Sequence, residues 1–266
     1  MTGTVQTQGR PSAGGPPSVD PEDWIRRFQP APEAPVRLVC LPHAGGSAAF
    51  YHPVARALAP EIDVLAVQYP GRQDRRHEPG VTRLDRLADL VTEALAPWTD
   101  RPLVLFGHSM GALLGYEVTA RLEAAGTAPR ALIASARRAP SRYRDESVHL
   151  RPDEGVVDEL RLLGGVERAF LEDPELRAMI LPSIRSDYEA IETYRHPPRP
   201  PLRTPVTVLT GDADPQVTPE EATAWARHTT DFALHTFTGG HFYLTEHIPE
   251  VLALIRSVAG GPDGRG

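Results

Sequence analysis

The chain has 266 residues, a formal net charge of −7 and a single cysteine. At roughly 150 residues per domain, that length fits one core carrying an insertion, large enough to be stable without disulfides or metal staples. One cysteine excludes an intramolecular disulfide and Cys-rich zinc sites, and the acidic balance argues against a general nucleic-acid binder. No apolar run approaches the ~18 residues of a membrane helix, and the opening MTGTVQTQGR lacks the basic and apolar regions of a secretory signal. The expected setting is the cytoplasm.

Residues 1–35 are polar and dense in Pro and Gly, a composition that cannot bury enough apolar surface to offset ordering. A largely disordered tail is predicted there, interrupted by Trp24, Ile25 and Phe28 at helical spacing, a short docking segment or tethered turn. A strand is predicted at 36–41 (VRLVCL), a helix at 50–58, and a strand at 62–67 (IDVLAV) closed by the Tyr69-Pro70-Gly71 turn. Residues 84–95 place Leu84, Leu87, Ala88, Val91 and Leu95 on one helical face. Strand 103–106 (LVLF), helix 111–125 and strand 131–134 follow. The stretch 137–203 breaks this rhythm, with helical patterns at 153–163 and 174–194 and no strand. Strand 206–209 (VTVL) and helices 220–227 and 249–258 complete a domain spanning 36–258, and 259–266 reads as a flexible tail.

Short buried strands alternating with helices predict an α/β fold, a mostly parallel sheet with helices on both faces. Ligands of such sheets bind at the carboxyl ends of the strands, so the helical insertion at 137–203 is expected to form a lid there.

Gly107-His108-Ser109-Met110-Gly111 matches G-x-S-x-G directly after LVLF and before a helix, the setting of a nucleophile elbow. Such a turn lifts the Ser109 hydroxyl above the sheet and points the Met110 N–H, at the start of the helix, toward a developing oxyanion. A serine nucleophile needs a base, and the base an orienting acid, in the chain order Ser, Asp or Glu, His. Asp212 and Asp214 both stand in the loop after VTVL, and spacing alone does not separate them. His241, on the glycine-rich Thr238-Gly239-Gly240-His241 loop, is the expected base; His235 and His247 fit no helix face or metal spacing with it. The second oxyanion donor is expected from the turn 42–46 (PHAGG) after the first strand: the Ala44 N–H, or that of His43 or Gly45. Cys40, inside an apolar strand, reads as a buried thiol. Arg72, Arg75 and Arg76 beside Asp74 read as a solvated charged loop.

Together, PHAGG, YPGR at 69–72, GHSMG, LPSIRSDYEAIETY at 181–194, GDADPQV and GGHFYL resemble type II thioesterases, the free-standing alpha/beta hydrolases that accompany polyketide synthases and nonribosomal peptide synthetases. The resemblance spans about 36–258 with motif order kept. It implies hydrolysis of acyl thioesters from the phosphopantetheine arm of acyl or peptidyl carrier proteins, an editing or release step in antibiotic biosynthesis. It further implies Ser109 as nucleophile, His241 as base, Asp214 as the acid, and the Ala44 and Met110 amides as the oxyanion hole. Tyr188 and Phe242 are candidate substrate contacts. No metal or cofactor is implied, phosphopantetheine entering only with the substrate, and neither nucleic acid nor membrane is a partner. The chain is expected to act as a monomer.

A carboxylesterase or lipase, an acyltransferase, and a non-catalytic binding protein on the same fold are the competing readings. Because carrier proteins are often acidic and the chain carries −7, docking calls for a local basic or apolar patch. Arg137, Arg138, Arg142 and Arg144, at the mouth of the insertion, are the candidates.

Overall fold

Four strands rich in Val, Leu, Ile and Ala lie side by side, every residue buried: β2 (Arg37–Leu41), β3 (Asp63–Val67), β4 (Leu103–His108) and β5 (Ala131–Ser135). Strands apolar on both faces require cover on both faces and pair in parallel. In the computed structural model, which describes residues 19–165 and 171–260, they are the centre of a seven-stranded sheet ordered β1-β3-β2-β4-β5-β6-β7. β6 (Val206–Gly211) and β7 (Phe232–Phe237) continue the parallel run, and β1 (Ile25–Arg26) closes the other edge antiparallel to β3.

Alternate side chains divide the core. Val39, Leu41, Leu65 and Leu105 face α3 (Leu84–Leu95) and α4 (Met110–Ala124), where Leu87, Val91, Leu114 and Val118 meet them. Leu38, Cys40, Val64 and Phe106 face the opposite way, onto α2 (His52–Leu58) and α8 (Ile248–Gly260) through Leu58, Val251 and Ile255. Cys40 is fully buried, and burial pushes its thiol well above the usual range, which keeps it inert.

The insertion after β5 holds α5 (Asp153–Leu163) and α6 (Pro174–Glu192), followed beyond β6 by α7 (Pro219–Thr223). Asp173 starts α6 by accepting the Glu175 and Leu176 N–H groups ahead of Pro174. Val148, Val156, Val157, Leu160, Leu181 and Ile184 form a small core of the insertion's own, separate from the two under and over the sheet.

Two expectations are corrected and one strand is added. Residues 19–35, predicted to belong to a largely disordered tail, are built into the fold. After the short helix α1 (Pro21–Trp24), Ile25 pairs with Val67, the Trp24 carbonyl accepts the Gln68 N–H, and Trp24 is fully buried beneath the Arg75 guanidinium. Arg27 and the Ala31 N–H both donate to the buried Asp63. One large indole and one buried carboxylate outweigh the Pro- and Gly-rich composition around them. Residues 259 and 260, predicted to open the C-terminal tail, are the last two of α8. Strand β7 was not predicted: its alternately exposed pattern belongs to an edge strand with polar residues such as His235. Residues 1–18, 166–170 and 261–266, including the rest of both tails, lie outside the described chain.

Candidate active site

The turn between β4 and α4 is set by sterics. Ser109 sits at φ 54°, ψ −115°, a conformation L-residues avoid. A Cβ on Gly107 would lie 2.0 Å from the Gly111 carbonyl oxygen, and one on Gly111 2.0 Å from that of Leu41, so both positions flanking the turn must be glycine. The Ser109 N–H donates to the Ser135 carbonyl on β5, which pins the elbow to the sheet. His108, just before it, is fully buried and hydrogen-bonds through Nδ1 to Ser135 Oγ at 2.9 Å, which in turn meets the Tyr243 hydroxyl at 2.7 Å.

The loop after β6 brings Asp214 to His241. The His241 Nδ1 lies 3.0 and 2.9 Å from the two Asp214 carboxylate oxygens, in a pair that is 2% and 0% exposed at the side chains. Asp214 Oδ1 also accepts the Gln216 N–H, so the carboxylate is held on both sides. Asp212 does different work: it is exposed and accepts the Gly239 N–H at 2.9 Å, splinting the loop that carries the histidine. Structure thus separates the two aspartates that spacing left open. The His241 ring lies 5.3 Å from that of His108, which brings it beside the elbow.

After β2, the turn 42–46 approaches from the other side. Its Gly45 N–H donates to Asp187 Oδ2 at 2.8 Å and its Gly46 N–H to the His43 carbonyl. Both amides are therefore engaged within the protein. Ala44 is the residue of this turn that lines a cavity of about 260 Å³ together with Ser109, Met110, Tyr188 and Gln216. Val148, Leu162 and Ile191 of the insertion roof the same cavity. Tyr188, a candidate substrate contact by sequence, is one of the residues that line this cavity. Phe242 packs edge-on against the rings of His241 and His43, at 5.3 and 4.9 Å, a support for the histidine.

Arg72 and Asp187 were not singled out as functional from sequence. Arg72, 6% exposed, clamps Asp187 with Nη1 at 2.7 Å and Nη2 at 2.8 Å, and Nη1 also donates to the Gly46 carbonyl. Asp187 belongs to α6, so one buried ion pair ties the lid, the YPGR turn and the PHAGG turn together. The expected solvated loop is corrected likewise for Arg75, 4% exposed and paired with Glu78. Of the four arginines expected to form a docking patch, Arg137 and Arg138 are buried at 9% and 3% exposure, and Arg144 is half-buried against Glu221; only Arg142 is exposed. Among the described residues, no group of three His, Cys, Asp or Glu side chains is placed to hold a metal ion, and no helix is long and apolar enough to cross a membrane.

Two histidines in this cluster are held neutral. Burial, then the charges of His241 and Arg72, pulls His43 from 6.5 down to about 3. Burial, then His241 and His43, holds His108 well below its ordinary range. In the unfolded chain both take up a proton near pH 6.5; in the fold they do not. Unfolding therefore gains protons below that pH, and stability falls as pH drops, by ~1.4 kcal/mol per pH unit for each histidine. Urea midpoints between pH 7 and 4.5 are expected to fall accordingly, and a midpoint constant over that window would contradict the neutral assignment.

The sheet order, the serine at a strand-to-helix turn and the aspartate–histidine pair after β6 and β7 define an alpha/beta hydrolase. Residues 36–258 match the family described as a thioesterase domain. The chain is 55% identical over 229 residues to a probable cadicidin biosynthesis thioesterase of Streptomyces griseus, covering 86% of this chain and 63% of that protein, so it spans somewhat less than two thirds of that relative. It is 45% identical over 257 residues to Thioesterase PikA5 of Streptomyces venezuelae, covering 94% of this chain and 92% of that protein. The solved structure of the type II thioesterase BorB from the borrelidin biosynthetic cluster superposes with a TM-score of 0.84 at 55% identity, covering 89% of this chain and 98% of that one. The chain belongs to the thioesterase family.

Proposed function

We propose that the protein hydrolyses acyl thioesters from the phosphopantetheine arm of separate carrier proteins in polyketide or nonribosomal peptide assembly, editing or releasing chains. The observation that carries this reading is the buried His241–Asp214 pair set beside the elbow serine under a lid-roofed cavity. Similarity to the PikA5 and BorB thioesterases over nearly the whole chain supports the substrate class.

In the proposed cycle Ser109 Oγ attacks the thioester carbonyl while His241 Nε2 takes its proton. Asp214 holds the ring with Nδ1–H toward the carboxylate, so that Nε2 is the basic nitrogen. The tetrahedral oxyanion is received by the Ala44 and Met110 amides, each worth about 3–4 kcal/mol by analogy with measured donors. Collapse expels the pantetheine thiol, protonated by His241, and leaves an acyl-Ser109 ester. Water then attacks with the same base and the same donors, giving the free acid and the unloaded carrier. The cycle uses only these groups and water.

The test compares one acyl group presented on a carrier protein, on a pantetheine thiol and as an oxygen ester, with Ser109→Ala as control. Release from the carrier is expected to be fastest and to vanish in Ser109→Ala. Oxygen esters turned over as fast, with no gain from the carrier, would make the protein a general esterase.

A further inference from the structure

Among the described residues, five arginines are buried: Arg37, Arg72, Arg75, Arg137 and Arg138. Four of them have an acid: Asp100, Asp187, Glu78 and Glu146 respectively for Arg37, Arg72, Arg75 and Arg138. Arg137 does not. Among the described residues its guanidinium makes no ion pair and no hydrogen bond, and its Nε is buried with no acceptor. A buried cation without a partner is costly, and buried polar groups are nearly always satisfied.

The place of Arg137 says what could satisfy it. It follows β5 at the carboxyl end of the sheet and lines the cavity that holds Ser109. It also lines a neighbouring cavity of about 270 Å³ whose wall includes Arg138, Arg142 and Arg195. The guanidinium thus stands in the partition between the two. The acids of the Ser109 cavity make no ion pair with it, each being bonded elsewhere: Glu146 to Arg138, Glu159 to Arg151 and the Gln216 amide, Glu192 to His149 and the Val148 N–H; the nearby Glu146 charge offsets that of Arg137 only in part. Burial, with the charge of Arg138 second, pulls Arg137 down to about 9, which leaves it cationic at neutral pH.

We infer that Arg137 is a specificity-determining subsite that binds an oxyanion of the substrate. Resting on the thioesterase reading, this inference allows two sources for that oxyanion. A carboxylate at the far end of the acyl group would reach Arg137 from the Ser109 cavity; the phosphate of the pantetheine arm would reach it from the arginine-lined one.

The test uses the full chain, its Arg137→Met and Arg137→Lys variants, and malonyl and propionyl groups, each on a carrier protein and on pantetheine lacking the phosphate. If the acyl carboxylate is the ligand, Arg137→Met lowers kcat/KM for malonyl about 10–100-fold on either arm, as expected for a charge-assisted hydrogen bond, and Arg137→Lys restores part of it. If the phosphate is the ligand, the loss follows the phosphorylated arm whatever the acyl group. Propionyl on pantetheine is unaffected in both cases, and its wild-type turnover reports whether the thioesterase reading itself holds. Calorimetric binding of malonyl-pantetheine and of phosphopantetheine to Ser109→Ala, with and without Arg137→Met, reads the subsite independently of turnover. Removing an unpaired buried charge should leave the thermal midpoint equal or higher. Equal loss on all substrates with a lowered midpoint, or no loss and no weakening of binding, would overturn the inference.

Discussion

Asp214→Asn is expected to lower kcat by about 10,000-fold, while Asp212→Asn stays within about threefold of wild type. The first figure follows from what the carboxylate does to the imidazole. Asp214 accepts from Nδ1 and, with the Gln216 N–H on its other side, has little freedom to turn. An asparagine of the same shape presents an amide N–H to the ring, favours the tautomer protonated on Nε2, and removes the proposed base without moving it. It also removes the charge that stabilises the imidazolium in the transition state. The Asp212 carboxylate accepts the Gly239 N–H, and an asparagine oxygen accepts it equally well. Pre-steady-state acylation measured on both variants, with circular dichroism to show that each is folded, decides the matter. Comparable losses in the two would remove Asp214 from its proposed role.

Asp187→Ala is expected to cost about 3–5 kcal/mol of stability, because it strands the Arg72 guanidinium in a buried setting. It also orphans the Gly45 N–H, and the PHAGG turn loses its tie to the lid helix. The double variant Arg72→Met/Asp187→Leu separates the two consequences. Exchange of a buried ion pair for apolar groups of similar size is often neutral or stabilising, so urea midpoints should recover most of the loss. Catalysis should not recover. With Gly45 and Gly46 both released, the Ala44 amide is no longer held at the proposed oxyanion position, and loss of one such donor lowers kcat about 100–1,000-fold. A double variant with wild-type kcat would reduce the pair to a structural staple.

Most of the site's local geometry was legible in the sequence because it is set by neighbours in the chain. The elbow needs glycines two residues either side of Ser109, and they are there. The buried strands and the amphipathic α3 were readable for the same reason: each pattern is complete within a dozen residues. What was not legible depends on distant partners. Arg72 and Asp187 are 115 residues apart, and an arginine beside Asp74, Arg75 and Arg76 looks like surface until α6 folds over it. YPGR and RSDY were visible as motifs, yet nothing in either announces the other. Asp212 and Asp214 share one turn, and only the partners that each meets, Gly239 or His241, tell them apart. Arg137 was read as one of a basic cluster because charge is visible in sequence and burial is not.

Ile25 and Arg26 decide where the molecule becomes safe to leave in solution. The stretch matched by the family begins at residue 36, but β1 lies before it and occupies the outer side of β3 at Val67 and Ala66. Without those two residues, the buried end of β3 would offer its bare amides and carbonyls to any passing strand, the usual start of edge-to-edge sheet growth. The peptide ahead of the hydrolase is thus a stopper on an open end.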